Sequence, residues 1–243
     1  MARPLPLVAA NAAFFIDFDG TLVDIAPRPD LVEVEPRVIH VLESLSQRFG
    51  HAVAVVTGRP LAAVDGFLAP LKLPIAAEHG SIRRDASGLV HEDVRAIKAI
   101  EMAAARLAPL VEANAGLLLE RKQASVARHF RQRLELAETC REAVAKAVAG
   151  VDGLVVLPGK MIFELRPKGI DKGVAVTNFL DEAPFKGRVP LYIGDDVTDE
   201  HAFAVVNALG GITVKIDDGD TAAQYRTDRQ GLFAWLSGLA ETA

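Results

Sequence analysis

The chain has 243 residues, half of them hydrophobic, which suits one large domain or a core carrying an insert. Its formal net charge of −5 weighs against nucleic-acid binding, and no polybasic stretch is present to hold it on an anionic membrane. The single cysteine, Cys140, excludes an internal disulfide framework and a cysteine-based zinc site, fits a reducing cytoplasm, and reads as an unreactive helix thiol.

The first segment, "MARPLPLVAANAAFFIDF", is broken by two prolines and Asn11 and runs into aspartates, so it predicts a strand rather than a signal peptide. No apolar run approaches the length of a membrane span. "AAFFIDFD" (12–19) is followed by "PRVIHVLESLSQRFG" (36–50), where Val38, Val41, Leu42, Leu45 and Phe49 share one helical face and Gly50 supplies the stop. "HAVAVVTG" (51–58) and "LPIAAEHG" (73–80) come next. Short runs nearly continuous in Val, Ile, Leu and Ala predict strands buried on both faces, and the β-α-β rhythm predicts a parallel sheet covered by helices.

After "EHGSIRR" the rhythm changes. A helix is predicted over 92–114, then the strand pair "LLLERKQ" and "SVARHFR", a helix over 133–149, and a second pair, "LVVLPG" and "MIFELRP". This order is α+β, and it predicts a separate cap over 84–163 inserted between core segments 1–83 and 164–243. The rhythm returns with "KGIDKGVAVTNFL", "VPLYIGDD", a helix over Glu200–Ala208 and "GGITVKI".

In an open parallel sheet the ligand lies beyond the carboxyl ends of the strands, so Asp17, Asp19, Thr57, Asp195 and Asp196 are expected at one edge. Together with Asp199 these carboxylates repel one another unless a cation joins them, and an all-oxygen set favours Mg²⁺ over zinc. Lys172 opens a helix, where the macrodipole disfavours an ammonium, and it therefore calls for anions nearby. Phosphoryl transfer needs positioning and charge stabilisation, and these groups offer both. Asp17 is the expected nucleophile, Asp19 the acid and then the base, Thr57 a donor to a phosphoryl oxygen, and Lys172 a counter-charge. Taken singly, an Asp-x-Asp, a Thr-Gly turn and an Asp-Asp cap are ordinary structural features. Their joint arrival at strand ends is what points to chemistry.

"DFDGT" (17–21), "VVTGR" (55–59), "KGIDKG" (168–173) and "GDDVTDE" (194–200) resemble the four motifs of haloacid dehalogenase (HAD) superfamily phosphatases. The resemblance implies an α/β fold, a HAD-like Rossmannoid core with a C2-type α+β cap, and a metal site drawn from Asp17, Asp19, Asp195, Asp196 and Asp199. "AAEHG", "ERKQASVARHFR" and "FELRPKGIDKG" are similar to the trehalose-6-phosphate phosphatase family within it, with Phe18 and Phe130 where tyrosine is often found. That resemblance implies an Mg²⁺-dependent hydrolase releasing phosphate from trehalose 6-phosphate in trehalose biosynthesis. It also implies that Glu120, Lys122, His129, Glu164 and Arg166, with Arg131, read the sugar, while Gly58, Arg59 and His79 contact substrate from the core.

By strand periodicity Glu120 shares a face with Lys122, and His129 with Arg131, a mixture that equally describes a solvated sheet face laced with charge pairs. His79 also suits a satisfied loop histidine, and His40, His51, His91 and His201 carry no assignment. A phosphatase for sucrose or mannosylglycerate phosphates, a phosphomutase and a non-catalytic sugar-phosphate sensor are the competing readings.

Overall fold

Ala12–Ile16 (β1) is buried at every position, the pattern of a strand covered on both faces. The computed structural model describes residues 4–26, 28, 31–92, 94–159 and 161–241; residue 93, within the helix expected over 92–114, lies outside the described residues. After β1 come α1 (Pro36–Arg48), β2 (Val53–Val56), α2 (Leu61–Leu68), β3 (Ile75–Ala77), β4 (Ile82–Arg84) and β5 (Val90–Glu92). Then follow α3 (Val94–Glu112), β6 (Leu118–Arg121), β7 (Val126–His129), α4 (Ala137–Val148), β8 (Leu154–Gly159) and β9 (Ile162–Pro167). The chain closes with α5 (Lys172–Leu180), β10 (Val189–Gly194), α6 (Glu200–Ala208), β11 (Ile212–Ile216), β12 (Tyr225–Thr227) and α7 (Arg229–Glu241).

Two compact units result, one of residues 1–91 with 171–243 and one of residues 92–170. The larger holds an eight-stranded sheet in the order β12-β11-β10-β1-β2-β3-β4-β5. Pairing from β12 through β3 is parallel, and β4 turns back antiparallel on β3. Ile16 stands opposite both Ile193 and Val55, so the residues that follow β1, β10 and β2 leave the sheet side by side.

Helix α1 begins at Pro36, whose fixed φ suits a first helical position, and it buries Val38, Val41, Leu42 and Leu45 at helical spacing. The chain then turns at Gly50, with φ +59°. On the side of α5 and α6 the core is aromatic: Phe15, Phe179 and Phe185 lie with ring centroids 5.1–6.0 Å apart, and Tyr192 meets Phe203 edge-on.

The smaller unit is an antiparallel sheet in the order β6-β7-β9-β8. Val126 and Leu165 on one face pack with Ile100, Ala103 and Leu107 of α3 and with Val144 and Ala147 of α4. Arg128 points to that same face by strand alternation and is fully buried there. The helix expected over 133–149 opens as a 3₁₀ turn, Leu134–Leu136, before α4.

The unit boundaries follow hydrogen bonding. Residues 82–84 pair with β3 and stay with the larger unit, whereas β9 is bonded along its length to β7 and β8, so residues 164–167 stay with the smaller one. The division read from sequence at 83/84 and 163/164 thus differs from the observed one by several residues at each end. Three-residue strands such as β4, β5 and β12 are too short to announce themselves by periodicity.

Candidate active site

Asp17 follows β1 directly and is almost wholly buried, its backbone N–H donating to Ile193 O at 2.9 Å. Lys172 is the first residue of α5, whose N-cap, Asp171, accepts from Val174 N–H. The buried Lys172 Nζ lies 2.8 Å from Asp17 Oδ1 and 2.7 Å from Asp199 Oδ1. Burial alone would push the ammonium toward its neutral form, but Asp17 and Asp199 outweigh it and hold the Lys172 pKa above its ordinary value. Asp17 is shifted upward, by burial first and by Asp199 and Asp195 beside it, against the opposing pull of Lys172.

Asp199 has no acceptor to spare. Its Oδ1 receives Lys172 Nζ and the buried Tyr192 hydroxyl, each at 2.7 Å, and its Oδ2 receives the N–H groups of Asp195 and Asp196 at 3.0 and 2.9 Å. A Cβ on Gly194 would overlap the Asp199 carboxylate, so glycine is needed at that strand end. Asp195 Oδ1 accepts from the hydroxyl of fully buried Thr21 at 3.2 Å, and its main-chain oxygen accepts from buried Lys215. Gly20, at φ +77°, lets the Asp195 carboxylate approach where any side chain would collide with it. The Asp195 pKa is raised, chiefly by burial.

Asp17, Asp195 and Asp199 each present a carboxylate oxygen, the three lying within 4.8 Å of one another. Only oxygen donors are present, and Asp199 is already saturated, so Asp17 and Asp195, both pushed toward their protonated forms, are the pair whose chemistry a hard divalent cation would complete. The other two aspartates read from sequence as metal ligands are otherwise engaged. Asp19 is held by Arg59, with Nε 2.6 Å from Oδ2 and Nη2 2.7 Å from Oδ1, and the exposed Asp196 caps Val197 N–H at 2.6 Å.

Thr57 follows β2, is buried, and accepts from Arg59 N–H at 3.1 Å. Gly58 faces the ring of His79, which a Cβ there would meet at 2.7 Å, and His79 itself sits at φ +60° with its N–H on Thr57 O. The Arg59 guanidinium lies over the rings of Phe18 and Phe67, which stack on each other. Asp17, Asp19, Thr57, Gly58, Arg59, His79, Lys172, Asp195 and Asp199 therefore all belong to the larger unit. Arg59, expected on substrate, is found on Asp19.

Within the smaller unit, Glu120 stands opposite Ala127, and Ala127 opposite Glu164, in one cross-strand row. His129 Nε2 lies 2.9 Å from Glu120 Oε2, a diagonal pair on that face, and Arg166 shares the face two residues on from Glu164. This is the face turned away from α3 and α4. Lys122 and Arg131 depart from the expected pattern. β6 ends at Arg121 and β7 at His129, so Lys122 lies in the turn closed by its N–H to Ser125 O, and Arg131 lies in an exposed turn. Strand alternation does not reach either residue. Tyr192, Thr21 and Lys215 were not legible as site residues, although Tyr192 is the odd polar residue in an apolar strand and Lys215 the one charged residue of β11.

No described helix is long and apolar enough to cross a membrane. Residues 15–230 match the trehalose-phosphatase family model. The chain is 35% identical over 240 residues to trehalose-6-phosphate phosphatase of Escherichia coli K12, covering 97% of this chain and 90% of that protein. It is 43% identical over 210 residues to a probable trehalose-phosphate phosphatase of Sinorhizobium fredii, covering 85% and 78%. The crystal structure of a trehalose-6-phosphate phosphatase related protein superposes with a TM-score of 0.75 at 26% identity, covering 94% of this chain and 96% of that one. With a HAD-like core whose strand ends gather these aspartates around the buried Lys172, and with a family match across nearly its whole length, the chain belongs to the trehalose-phosphatase family.

Proposed function

We propose that this protein hydrolyses the phosphomonoester of trehalose 6-phosphate, using Mg²⁺ and an aspartyl-phosphate intermediate. The observation that carries the reading is the buried Asp17–Lys172–Asp199 assembly next to Asp195, an acidic cluster held around the Lys172 ammonium, in a chain whose relatives bear this activity in their names.

Asp17 Oδ attacks phosphorus, the bond from phosphorus to the sugar oxygen breaks, and Asp19 gives that oxygen a proton. Water then attacks the aspartyl-phosphate, Asp19 takes a proton from it, and the bond from phosphorus to Asp17 breaks to release phosphate. Lys172 lies close enough to Asp17 to offset the charge gathering on the phosphoryl oxygens, and Thr57 supplies a neighbouring hydroxyl. Asp17 and Asp195 are the residues that would hold the cation, which when bound neutralises carboxylate and phosphoryl charge. Asp199, saturated by four donors, orients Lys172 and the 194–196 turn instead of coordinating directly. Arg59 sets the plane of the Asp19 carboxylate, one of its contacts opening as Asp19 takes part in proton transfer. Glu120, His129, Glu164 and Arg166, together with Lys122 and Arg131, supply donors and acceptors for sugar hydroxyls. A buried free thiol, a sequence without a polybasic stretch and net negative charge suit a cytoplasmic enzyme acting on a small molecule without nucleic-acid or membrane partners.

The test is phosphate release from a panel of sugar phosphates with and without Mg²⁺, alongside the Asp17→Asn protein. Trehalose 6-phosphate should be the best substrate, chelation should stop turnover, and Asp17→Asn should be inactive with an unchanged circular dichroism spectrum. Substantial turnover by Asp17→Asn would refute the nucleophile assignment, and preference for another sugar phosphate would refute the substrate.

A further inference from the structure

A second group of side chains whose atoms could converge on a metal ion occurs among the described residues of the larger unit, and the phosphatase reading does not use it. Asp85, His91 and Glu182 each present one ligand atom, and those atoms lie within 4.8 Å of one another. The three arrive from separate elements: Asp85 directly follows β4, His91 is in the middle of β5, and Glu182 lies just beyond α5. β4 runs antiparallel to β3, with Arg84 opposite Ile75, which places Asp85 at the edge of the sheet away from the strand ends that carry Asp17 and Thr57. Helix α5 spans the same distance, with Lys172 at one end and Glu182 past the other, about 15 Å along the axis.

The set differs in kind from the aspartate cluster. It contains an imidazole, whose nitrogen a hard cation such as Mg²⁺ uses poorly and a borderline transition cation uses well. Asp85 Oδ1 accepts from Ser87 N–H, the Ser87 hydroxyl and Leu89 N–H at 2.6–3.0 Å, while Oδ2 lies 2.7 Å from His91 Nε2. Glu182 is held by Arg83, whose guanidinium lies 5.0 Å from the centre of the Phe179 ring. Each carboxylate thus has an outer partner fixing its orientation, as metal ligands commonly do. Among the described residues, the two carboxylates are ion-paired with one arginine, Arg83 on Glu182, and with His91 on Asp85. The three side chains are all partly exposed, so an ion can enter from solvent.

We propose that Asp85, His91 and Glu182 form a divalent transition-metal site of the zinc class, distinct from the phosphatase centre and completed by water. Binding replaces any proton on His91 Nε2 and joins the β4–β5 hairpin to the end of α5. The competing arrangement is a metal-free ion-pair network in which protonated His91 alone balances the charge.

The test is a titration of the full-length protein with Zn²⁺, read by imidazole ¹⁵N resonances, with the His91 signals assigned from His91→Ala. One equivalent of Zn²⁺ should move the His91 Nε2 resonance, in the parent and equally in Asp17→Asn. Glu182→Gln and Asp85→Asn, which keep side-chain shape, should each weaken that response at least about tenfold. His91→Ala should release phosphate at the parental rate. The proposal is overturned if Zn²⁺ leaves His91 unmoved, if Glu182→Gln and Asp85→Asn respond with parental affinity, or if the response disappears in Asp17→Asn. Because His91 is read directly, these outcomes stand apart from any result on substrate or mechanism.

Discussion

Asp199 shows how a single residue is decided by its neighbours. Its place in "GDDVTDE" makes it look like a metal ligand, yet Lys172, Tyr192 and two main-chain N–H groups occupy its oxygens. Removing the Tyr192 hydroxyl takes away one hydrogen bond to a charged acceptor, worth about 1.5–3 kcal/mol. Tyr192→Phe should therefore unfold at lower denaturant by that amount. Asp199→Asn leaves a buried ammonium with a single carboxylate and should cost more, about 3–5 kcal/mol. Equal losses in the two variants would mean that Asp199 does not balance Lys172. Gly20 offers a complementary case, since a methyl there collides with the Asp195 carboxylate on a backbone at φ +77°. Gly20→Ala should lower Mg²⁺ affinity and turnover together, measured by activity against Mg²⁺ concentration. Parental Mg²⁺ dependence would show that Asp195 can move aside without consequence.

At the scale of the element, the small sheet has two unlike faces. The face away from the helices carries Glu120, His129, Glu164 and Arg166, and Glu120→Ala should cost one charged hydrogen bond to a sugar hydroxyl, about 1.5–3 kcal/mol, or roughly ten- to hundredfold in kcat/KM. A small aryl phosphate lacking the sugar should react at nearly the parental rate. Equal loss on both substrates would assign Glu120 to folding, and no loss on either would make it an ordinary solvated residue. The opposite face holds Arg128, fully buried, with no hydrogen-bond partner for any of its three side-chain nitrogens among the described residues. A guanidinium stays charged, and burying it unpaired is costly. Arg128→Met keeps the aliphatic stem and should stabilise the protein by at least about 1 kcal/mol in chemical denaturation. A less stable Arg128→Met would show that the charge is compensated in solution.

At the scale of the whole molecule, ion pairs join separate elements and give stability its acid dependence. Asp65 of α2 meets Arg84 at the end of β4 and Lys72 beyond α2. Burial raises its pKa, but the Arg84 hydrogen bond and the attraction of both cations outweigh that and leave it below the ordinary carboxylate value. A depressed folded-state pKa means that the pair stabilises fully above the unfolded pKa, near 4, and loses its effect as pH falls through the folded value. Asp65→Asn should therefore be less stable than the parent at pH 7, with the gap closing as pH drops below about 4. A gap of constant size across that range, followed by denaturant titration at several pH values, would show that the carboxylate charge is not what matters.

Much of this protein was readable from its sequence because the informative patterns are local. Continuous apolar runs such as 12–16 and 189–193 require a strand buried on both faces, and the residues closing them, Asp17 and Asp195, then have to meet at one edge of a parallel sheet. Helix α1 follows in the same way from its apolar spacing, and α5 opens at the cap that Asp171 supplies. Other features depend on partners brought in from far along the chain. That Asp19 is held by Arg59, that Tyr192 and Lys215 support the aspartates, and that Asp85, His91 and Glu182 gather at the other edge depends on strand register and on where α5 ends. The same holds where strand alternation stops short of Lys122 and Arg131, because a turn's position is fixed by which residues find hydrogen-bond partners across the sheet. Periodicity sets which face a residue points to. Tertiary pairing decides what it finds there.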